Sequence, residues 1–258
     1  MTRDSLATLL EFAIDAAWRA GRATLPHFQT GVLAEAKADL SPVTVADRAA
    51  ETLCRALIEA RYPYDGILGE EQGARRPGAR RRWVIDPIDG TRAFVHGVPL
   101  YSVLLALEEE GEPVLGVIHF PALGETVWAA RGEGCWWDGR RALVSQVDRL
   151  EEATVLTSEG TFPDEATASA WRRLAGRAAN ARTWGDAYGY ALVATGRAEV
   201  MIDPHFEVWD SAPLRPIIEE AGGVFTDWTG APTHLGGNGI ATNAALARHV
   251  RQLLRGEA

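Results

Sequence analysis

Apolar residues recur every three or four positions in two N-terminal segments, which is the spacing of one face of an α-helix. The first predicted helix runs from about residue 5 into the twenties. The second follows Thr44-Val45-Ala46-Asp47, a pattern typical of a helix cap in which Asp47 stabilises the first turn by about 0.5–1 kcal/mol. Gly31–Leu40 is predicted as a polar connection between the two helices.

Shorter runs rich in β-branched and aromatic residues predict strands in the rest of the first half. Trp83–Ile85 and Gly66–Leu68 are apolar and each is followed by acidic residues. Glu-Gly, Pro and Gly signals separate three further runs, and Cys135–Trp137 continues them with a tight turn predicted at Asp138-Gly139. The three runs, which indicate an antiparallel meander, are 101–107, 113–120 and 125–130.

After about residue 145 the pattern changes to an alternation of strands and helices, which favours a layered and partly parallel sheet. We therefore predict an α+β N-terminal half with an antiparallel meander, residues 1–145, and an α/β C-terminal half, residues 146–258, without a flexible linker. We expect the N-terminal half to bind metal and the C-terminal half to bind substrate. The predicted elements of the second half are a strand at 153–157, a helix near 164–178, a helix near 187–195, a strand at 198–202, a helix at 211–221, a strand at 224–228 and a last helix from about 244.

Composition and charge narrow the functional classes. The 258 residues are 47% hydrophobic and 24% charged, as in an ordinary globular protein, and the net charge of −9 argues against non-specific nucleic-acid binding. Five arginines within residues 75–82 are predicted to form a solvated loop rather than a nucleic-acid patch. Without a signal peptide or a run of eighteen apolar residues, we expect no membrane span and a cytoplasmic protein whose two cysteines are free thiols.

The segment Ile85–Phe94 carries the most informative chemistry. Asp86 and Asp89 end an apolar strand and can ligate one hard cation or bridge two, and Gly90-Thr91 offers backbone N–H groups and a hydroxyl to an anion. A plain turn remains an alternative, because Asp-Pro and Asp-Gly are common in turns. An EF-hand is excluded because the twelfth residue from Asp86 is Gly97, and a P-loop because no lysine follows the glycine.

Further acidic residues lie at other predicted element ends, namely Glu70-Glu71, Asp47 and Asp210. No pair of histidines has the spacing of a helical zinc site, so any metal is expected to be bound by oxygen. The segment 83–94, together with Trp209-Asp210-Ser211-Ala212 and Glu219–Gly223, resembles the signatures of the inositol monophosphatase family over nearly the whole chain. Pro213 departs mildly from the second signature, where many members carry a small residue.

The resemblance implies a Mg²⁺-dependent phosphomonoesterase with two or three ions, a homodimer, and no phosphorylated enzyme intermediate. It assigns Glu70, Asp86 and the Ile88 carbonyl to one metal, and Asp86, Asp89 and Asp210 to a second, with a third near Glu70. Asp47 and Thr91, with Glu70, would activate the attacking water at the metals. The Gly90 and Thr91 amides would receive the phosphate of a small metabolite.

The stretch 182–199 and Arg92 resemble the histidinol-phosphatase branch of that family. The resemblance places the substrate contacts at Arg182, Gly185, Asp186, Ala187 and Asp203. Histidinol phosphate is cationic at its ammonium and imidazole, so Asp186 and Asp203 suit it, although Asp186 fits a helix cap equally well. The alternatives are an inositol or sugar-phosphate phosphatase and, less favoured, a non-catalytic metal- and phosphate-binding regulator.

Overall fold

A computed structural model of the chain describes residues 4–37, 41–158 and 160–257, and two β-sheets with packed helices make up its fold. The N-terminal helices are α1, Leu6–Thr24, and α2, Val45–Arg61, both at the predicted positions. They pack together on one face of the larger sheet, and the α1 side of this contact consists largely of fully buried alanines. Small side chains allow the two helices and the sheet to approach closely.

The start of α2 confirms the predicted cap. The Thr44 hydroxyl accepts a hydrogen bond from the Ala46 N–H, and Asp47 Oδ2 accepts one from the Thr44 N–H at 2.8 Å. The predicted polar connection before it differs from the structure, because it contains β1, Glu35–Ala36, paired antiparallel with β2, Pro42–Val43. Residues 38–40 of that connection lie outside the described residues.

The larger sheet confirms the predicted antiparallel meander. Its strand order is β10-β9-β8-β7-β6-β5-β3-β4, and only the β3–β5 pair is parallel. The tight turn at Asp138-Gly139 joins β9 to β10, and the short helix α3, Thr91–Val95, follows β5. The strands are β3, Gly66–Gly69; β4, Gly73–Arg75; β5, Arg81–Asp89; β6, Ser102–Glu109; β7, Glu112–Phe120; β8, Glu125–Ala130; β9, Gly134–Trp137; and β10, Arg140–Arg141.

The smaller sheet is partly parallel, as predicted, with the order β12-β11-β13-β15-β14, in which β11 pairs in parallel with β12 and β13. Its strands are β11, Thr154–Thr157; β12, Asn180–Arg182; β13, Val200–Asp203; β14, Val224–Thr226; and β15, Gly239–Thr242. The helices are α4, Glu165–Ala175; α5, Ala187–Ala194; α6, Val208–Glu220; and α7, Ala247–Arg255. None of the helices in the described ranges is long and apolar enough to cross a bilayer.

Helix α6 packs against strands of both sheets, and one continuous core joins the two halves of the chain. Leu104 and Ile118 of the larger sheet share that core with Leu214 of α6. Gly116 permits this close packing, since a Cβ atom there would lie 2.1 Å from the Pro213 carbonyl oxygen. Because the core is shared, the division into subdomains at residue 145 stays a prediction.

The arginine tract is more ordered than the predicted solvated loop. Arg75 is the last residue of β4. Arg81 and Arg82 are the first residues of β5, because their backbones continue its hydrogen-bonded pairing with β3 and β6. Arg80 pairs with Glu110 at 2.9 Å, and acidic side chains pair with three others as well. The remaining pairs are Arg75–Glu59, Arg81–Asp65 and Arg82–Glu108. The positive charge of the tract is thus largely neutralised within the fold.

We expect His119 to make the fold sensitive to mild acid. Its ring is 4% exposed, and burial lowers its pKa to about 4, whereas the unfolded chain titrates near 6.5. Below pH 6.5 only the unfolded state binds the proton, so the free energy of unfolding falls as the pH drops towards 4, by up to about 1.4 kcal/mol per pH unit. Urea unfolding at pH 7 and pH 5 measures this loss.

The matched variant is His119→Asn, which does not titrate and can replace the 2.9 Å hydrogen bond between His119 Nδ1 and Thr126 Oγ1. The wild type should lose more stability than this variant between the two pH values. Equal losses in both proteins would show that His119 does not contribute to the acid sensitivity.

Candidate active site

The end of β5 brings two aspartates to the same side of the sheet. Asp86 pairs with Leu104 and Asp89 with Ser102, and the register shifts between these two pairs where Pro87 has no N–H to donate. The Ile88 N–H donates to Asp86 Oδ1 at 3.0 Å, which fixes that carboxylate. Asp89 Oδ2 accepts from the Ser102 hydroxyl and from the Ala187 N–H, both at 2.9 Å.

Asp210 completes a carboxylate cluster from the other half of the chain. It lies in the first turn of α6, where its Oδ2 accepts a hydrogen bond from the Glu207 N–H at 2.8 Å. One carboxylate oxygen each of Asp86, Asp89 and Asp210 lies within 4.8 Å of the others. Asp86 and Asp89 are buried and Asp210 is half-buried. The predicted metal-binding carboxylates of β5 and α6 are therefore adjacent in space.

Glu70 approaches the cluster from the end of β3. Its pKa is raised by burial and lowered in part by Lys37, whose Nζ lies 2.7 Å from Glu70 Oε1 and 2.5 Å from Glu71 Oε1. The Glu70 N–H donates to the Ile85 carbonyl, which holds the end of β3 against β5. A cation, the Lys37 ammonium, already balances the two glutamates in this structure.

Thr91 and Asp47 form a hydrogen-bonded pair beside the cluster. Thr91 Oγ1 lies 3.2 Å from Asp47 Oδ1 and 3.1 Å from the Ile88 carbonyl oxygen, both of which can accept its hydrogen. Asp47 is fully buried, and this burial raises its pKa despite the hydrogen bonds from Thr44 and Thr91. The same carboxylate therefore caps α2 and holds the Thr91 hydroxyl.

The electrostatics of the cluster favour a bound cation. Burial, with the negative charge of neighbouring acids, raises the pKa of Asp86 and of Asp89 well above the usual range. Burial likewise raises the pKa of Asp210 to about 7. Three converging carboxylates form the oxygen-rich donor set that hard divalent cations prefer, and such a cation would offset the repulsion among them. The cluster can therefore bind a metal ion.

The turn after β5 can receive an anion next to this cluster. Gly90 has φ 81°, a left-handed conformation, and α3 begins at Thr91. A Cβ atom at Gly90 would lie 2.5 Å from Asp186 Oδ2, so that carboxylate lies directly against the turn, and the left-handed φ of Gly90 favours glycine. A pocket of about 290 Å³ opens here. It is lined by the three cluster aspartates and by Ser41, Pro42, Glu70, Ile88, Gly90, Thr91, Arg92, Ser158, Asp186, Asp203, Pro204, His205 and Phe206.

Two of the predicted substrate residues line this pocket. Asp186 occupies the cap position of α5, but its side chain makes no capping hydrogen bond and instead faces Gly90. Asp203 ends β13 and is 2% exposed, and its oxygens accept from the Ser158 N–H, the Ser158 hydroxyl and the Tyr190 hydroxyl. Burial raises the pKa of Asp203 to about 8.

The other predicted substrate residues lie around the pocket rather than in it. The Ala187 N–H holds Asp89, and Gly185 lies against Ser158. Arg182 is exposed on β12, where its guanidinium donates to the Ala181 carbonyl, and it is not among the described residues that line the pocket. A substrate contact by Arg182 thus stays a prediction without support from its position.

Sequence reasoning missed Lys37 and Ser158. Ser158 directly follows β11, and Asp203 ends its parallel neighbour β13, so their meeting at the carboxyl end of the sheet follows a general rule for ligand sites. A sequence analysis that paired these two strands in parallel could therefore have predicted that Ser158 lies next to Asp203. Lys37 lies in the connection before α2, and no local pattern distinguishes it from a solvated lysine.

The two-sheet fold carries a pocket that joins a buried carboxylate cluster to the glycine turn after β5, an arrangement that suits a phosphoric monoester hydrolase. The sequence profile of the inositol monophosphatase family matches residues 5–255. The chain belongs to that family, whose members depend on metal ions.

Individual relatives agree with this assignment. The histidinol-phosphatase of Chlorobaculum parvum is 44% identical over 247 residues, which cover 93% of this chain and 94% of that protein. The histidinol-phosphatase of Mycobacterium tuberculosis is 39% identical over 226 residues, 82% of this chain and 84% of that protein. A solved structure of an inositol monophosphatase from Zymomonas mobilis matches with a TM-score of 0.88 at 32% identity, covering 98% of this chain and 100% of that chain.

Proposed function

We propose that this phosphatase hydrolyses L-histidinol phosphate to L-histidinol and inorganic phosphate. The observation that carries the substrate is the Asp186 carboxylate, which lies in the pocket directly beside the phosphate-binding turn at Gly90. A phosphate seated on that turn would place the alcohol end of its ester near a negative charge. Two histidinol-phosphatases that resemble this chain over most of its length support the same substrate.

We propose Mg²⁺ as the cofactor, with two or three ions at the site. Asp86, Asp89 and Asp210 would hold one ion, and Glu70 with Asp86 and the Ile88 carbonyl another, while a third would lie near Glu70. When bound, Mg²⁺ would neutralise the phosphate charge and lower the pKa of water. Binding near Glu70 would also require Lys37 to release that carboxylate.

Thr91 and Asp47 would prepare the attacking water. When Thr91 Oγ1 donates its hydrogen to Asp47 Oδ1, its lone pairs are free to orient a water molecule towards phosphorus. Burial raises the pKa of Asp47, which makes its carboxylate a stronger acceptor for the proton that the water releases. The Gly90 and Thr91 N–H groups would hold the phosphate oxygens while the water oxygen attacks phosphorus directly. The P–O bond to histidinol would break, and the leaving alkoxide would take up a proton from a second water molecule, which releases histidinol and phosphate.

Beside the phosphate-binding turn, Asp186 would pair with a cationic group of the leaving alcohol. Asp203 accepts hydrogen bonds from three groups of the protein itself, so we assign it a supporting part in which it fixes Ser158 at the pocket wall. Phe206, which also lines the pocket, can cover an apolar face of the substrate.

A phosphate-release panel with added Mg²⁺ tests this function directly. We expect kcat/KM for histidinol phosphate to exceed the values for inositol 1-phosphate, 3′-phosphoadenosine 5′-phosphate and fructose 1,6-bisphosphate. A preference for inositol 1-phosphate would overturn the substrate but leave the phosphatase intact, and the Zymomonas mobilis enzyme makes this the second candidate. No hydrolysis of any ester would favour the non-catalytic regulator.

The Asp186→Asn variant should lose activity selectively. A hydrogen bond to a charged group contributes about 1.5–3 kcal/mol, so kcat/KM for histidinol phosphate should fall roughly ten- to more than a hundredfold. Asparagine keeps the shape that fits beside Gly90. Hydrolysis of inositol 1-phosphate, the ester of an uncharged alcohol, serves as the internal control. Equal losses of kcat/KM on both esters would show that Asp186 supports the fold or the metal site and does not contact the substrate.

We also propose a homodimer, on the grounds of the family resemblance. Sedimentation equilibrium tests it, and a monomer at micromolar concentration would contradict it.

A further inference from the structure

A buried hydrogen-bonded pair, His234 and Glu108, takes no part in the proposed chemistry. His234 Nε2 lies 2.9 Å from Glu108 Oε1, and the two residues are 3% and 1% exposed. The second oxygen of Glu108 accepts from Arg82 Nε at 2.8 Å. Arg82 and Glu108 are directly paired residues of β5 and β6, whereas His234 belongs to the segment 227–238 between β14 and β15. Through Glu108 and Arg82, His234 therefore ties that segment to β5, the strand that carries Asp86 and Asp89.

The geometry also locates the proton of His234. Its Nδ1 is buried and has no hydrogen-bond partner among the described residues. An N–H at that position would be an unsatisfied donor, which is costly in a buried site. The proton therefore resides on Nε2, which donates to Glu108. Burying such a polar pair is itself unfavourable, so its presence calls for an explanation.

The backbone of His234 reaches the metal-binding helix. Ser211 Oγ lies 2.6 Å from the His234 carbonyl oxygen and 3.0 Å from the Glu207 carbonyl oxygen. The hydroxyl has one hydrogen, and the shorter contact is the one to His234. Ser211 directly follows Asp210 in the first turn of α6. The start of α6 is thereby connected through His234, Glu108 and Arg82 to β5.

The same segment supports the wall of the pocket. The Phe206 N–H donates to the Gly237 carbonyl at 2.8 Å, and the Phe206 ring lies against Gly239 at the start of β15. Phe206 lines the pocket four residues before Asp210. Segment 227–238 thus holds the stretch 206–211 at both of its ends.

We propose that His234 and Glu108 are positioning residues that set Asp210 against Asp86 and Asp89 through Ser211. The three aspartates come from two elements far apart in the chain, and a metal site requires its ligands to be held within about 0.5 Å of their productive positions. A hydrogen-bonded link between the two elements supplies such a constraint. This inference rests on the proposed metal site but not on the identity of the phosphate ester.

Mg²⁺ binding to the metal-free full-length protein, measured by isothermal titration calorimetry without substrate, tests the link. Loss of outer partners of metal ligands typically weakens metal affinity about 10–100-fold. We expect Ser211→Ala and His234→Leu to raise the Mg²⁺ dissociation constant about tenfold. At saturating Mg²⁺, kcat should stay within about threefold of the wild type, since no group that touches the substrate changes. His234→Gln, which can still donate an N–H to Glu108, should restore most of the affinity.

Ser145→Ala is the matched control, since it also deletes a serine hydroxyl that bonds across the fold, in this case to Asn243 Nδ2 at 3.0 Å. Urea unfolding in chelator gives the stability of every variant. If Ser211→Ala and His234→Leu are destabilised like the control but bind Mg²⁺ as the wild type does, the link serves only the fold and the inference is overturned. Failure of His234→Gln to restore affinity would overturn it as well. A wild type that binds no Mg²⁺ would instead refute the proposed metal site.

Discussion

The Asp89→Asn variant is expected to lose roughly a hundredfold or more in kcat at saturating Mg²⁺, because metal-bound charge stabilisation is worth several kcal/mol. The Ser102 hydroxyl and the Ala187 N–H both donate to Asp89 Oδ2. In the variant, the asparagine oxygen would accept those two hydrogen bonds, and its NH₂ group would face the cluster. A donor would thus replace a metal ligand while the surrounding fold is preserved. Phosphate release from histidinol phosphate measures the effect.

The matched control is Asp65→Asn, which neutralises another buried aspartate outside the cluster. Asp65 accepts from Trp83 Nε1 at 2.9 Å and pairs with Arg81, so its loss should affect stability more than turnover. Chelator should abolish wild-type activity, and Mg²⁺ but not Zn²⁺ alone should restore it. If Asp89→Asn retains a tenth of the wild-type rate at saturating Mg²⁺, Asp89 does not bind the catalytic metal.

The Thr91→Val variant should lose turnover far more than substrate affinity. Valine has nearly the shape of threonine but lacks the hydroxyl that contacts Asp47 Oδ1 and the Ile88 carbonyl. Assistance of proton transfer by a positioned group typically contributes about 10²–10⁴-fold, so we expect a loss in kcat of that order with little change in KM. Steady-state kinetics on histidinol phosphate separates the two constants.

Thr91→Ser keeps the hydroxyl and is the conservative control, which should remain within about tenfold of the wild-type rate if proton transfer through that oxygen is what matters. The opposite pattern, in which Thr91→Val has an unchanged kcat and a raised KM, would show that Thr91 only binds the phosphate. Asp47 would then be left with its role as the cap of α2.

Many elements of this fold could be predicted from the sequence because interactions between neighbouring residues determine them. The periodicity of α1 and α2, the cap at Thr44 and Asp47, and the meander from β6 to β9 depend on neighbouring residues, and the structure confirms each of them. The segment Ile85–Phe94 combines a buried strand end, two carboxylates and a glycine turn within ten residues. Its chemistry is therefore visible without any knowledge of the fold, and the family assignment follows from it.

Short elements were not predictable, because their stability comes from the sheet they join. Strands β12 and β15 have three and four residues, and β15, Gly239–Thr242, includes a glycine and an alanine that have low strand propensity. They pair with β11, β13 and β14, and this pairing rather than their own sequence makes them strands. The ordered start of β5 at Arg81 likewise depends on its partners in β3 and β6.

The sequence by itself determined the family, the carboxylates and the cap of α2, since each of these depends on residue type and spacing along the chain. Only the tertiary structure decided that Asp186 faces Gly90 rather than capping α5, and that Lys37 lies between Glu70 and Glu71. It alone also brought the His234 carbonyl to the Ser211 hydroxyl, at the residue that follows Asp210. These contacts join segments that are distant in sequence, and no local propensity encodes which of them the packing of two sheets around α6 will bring together.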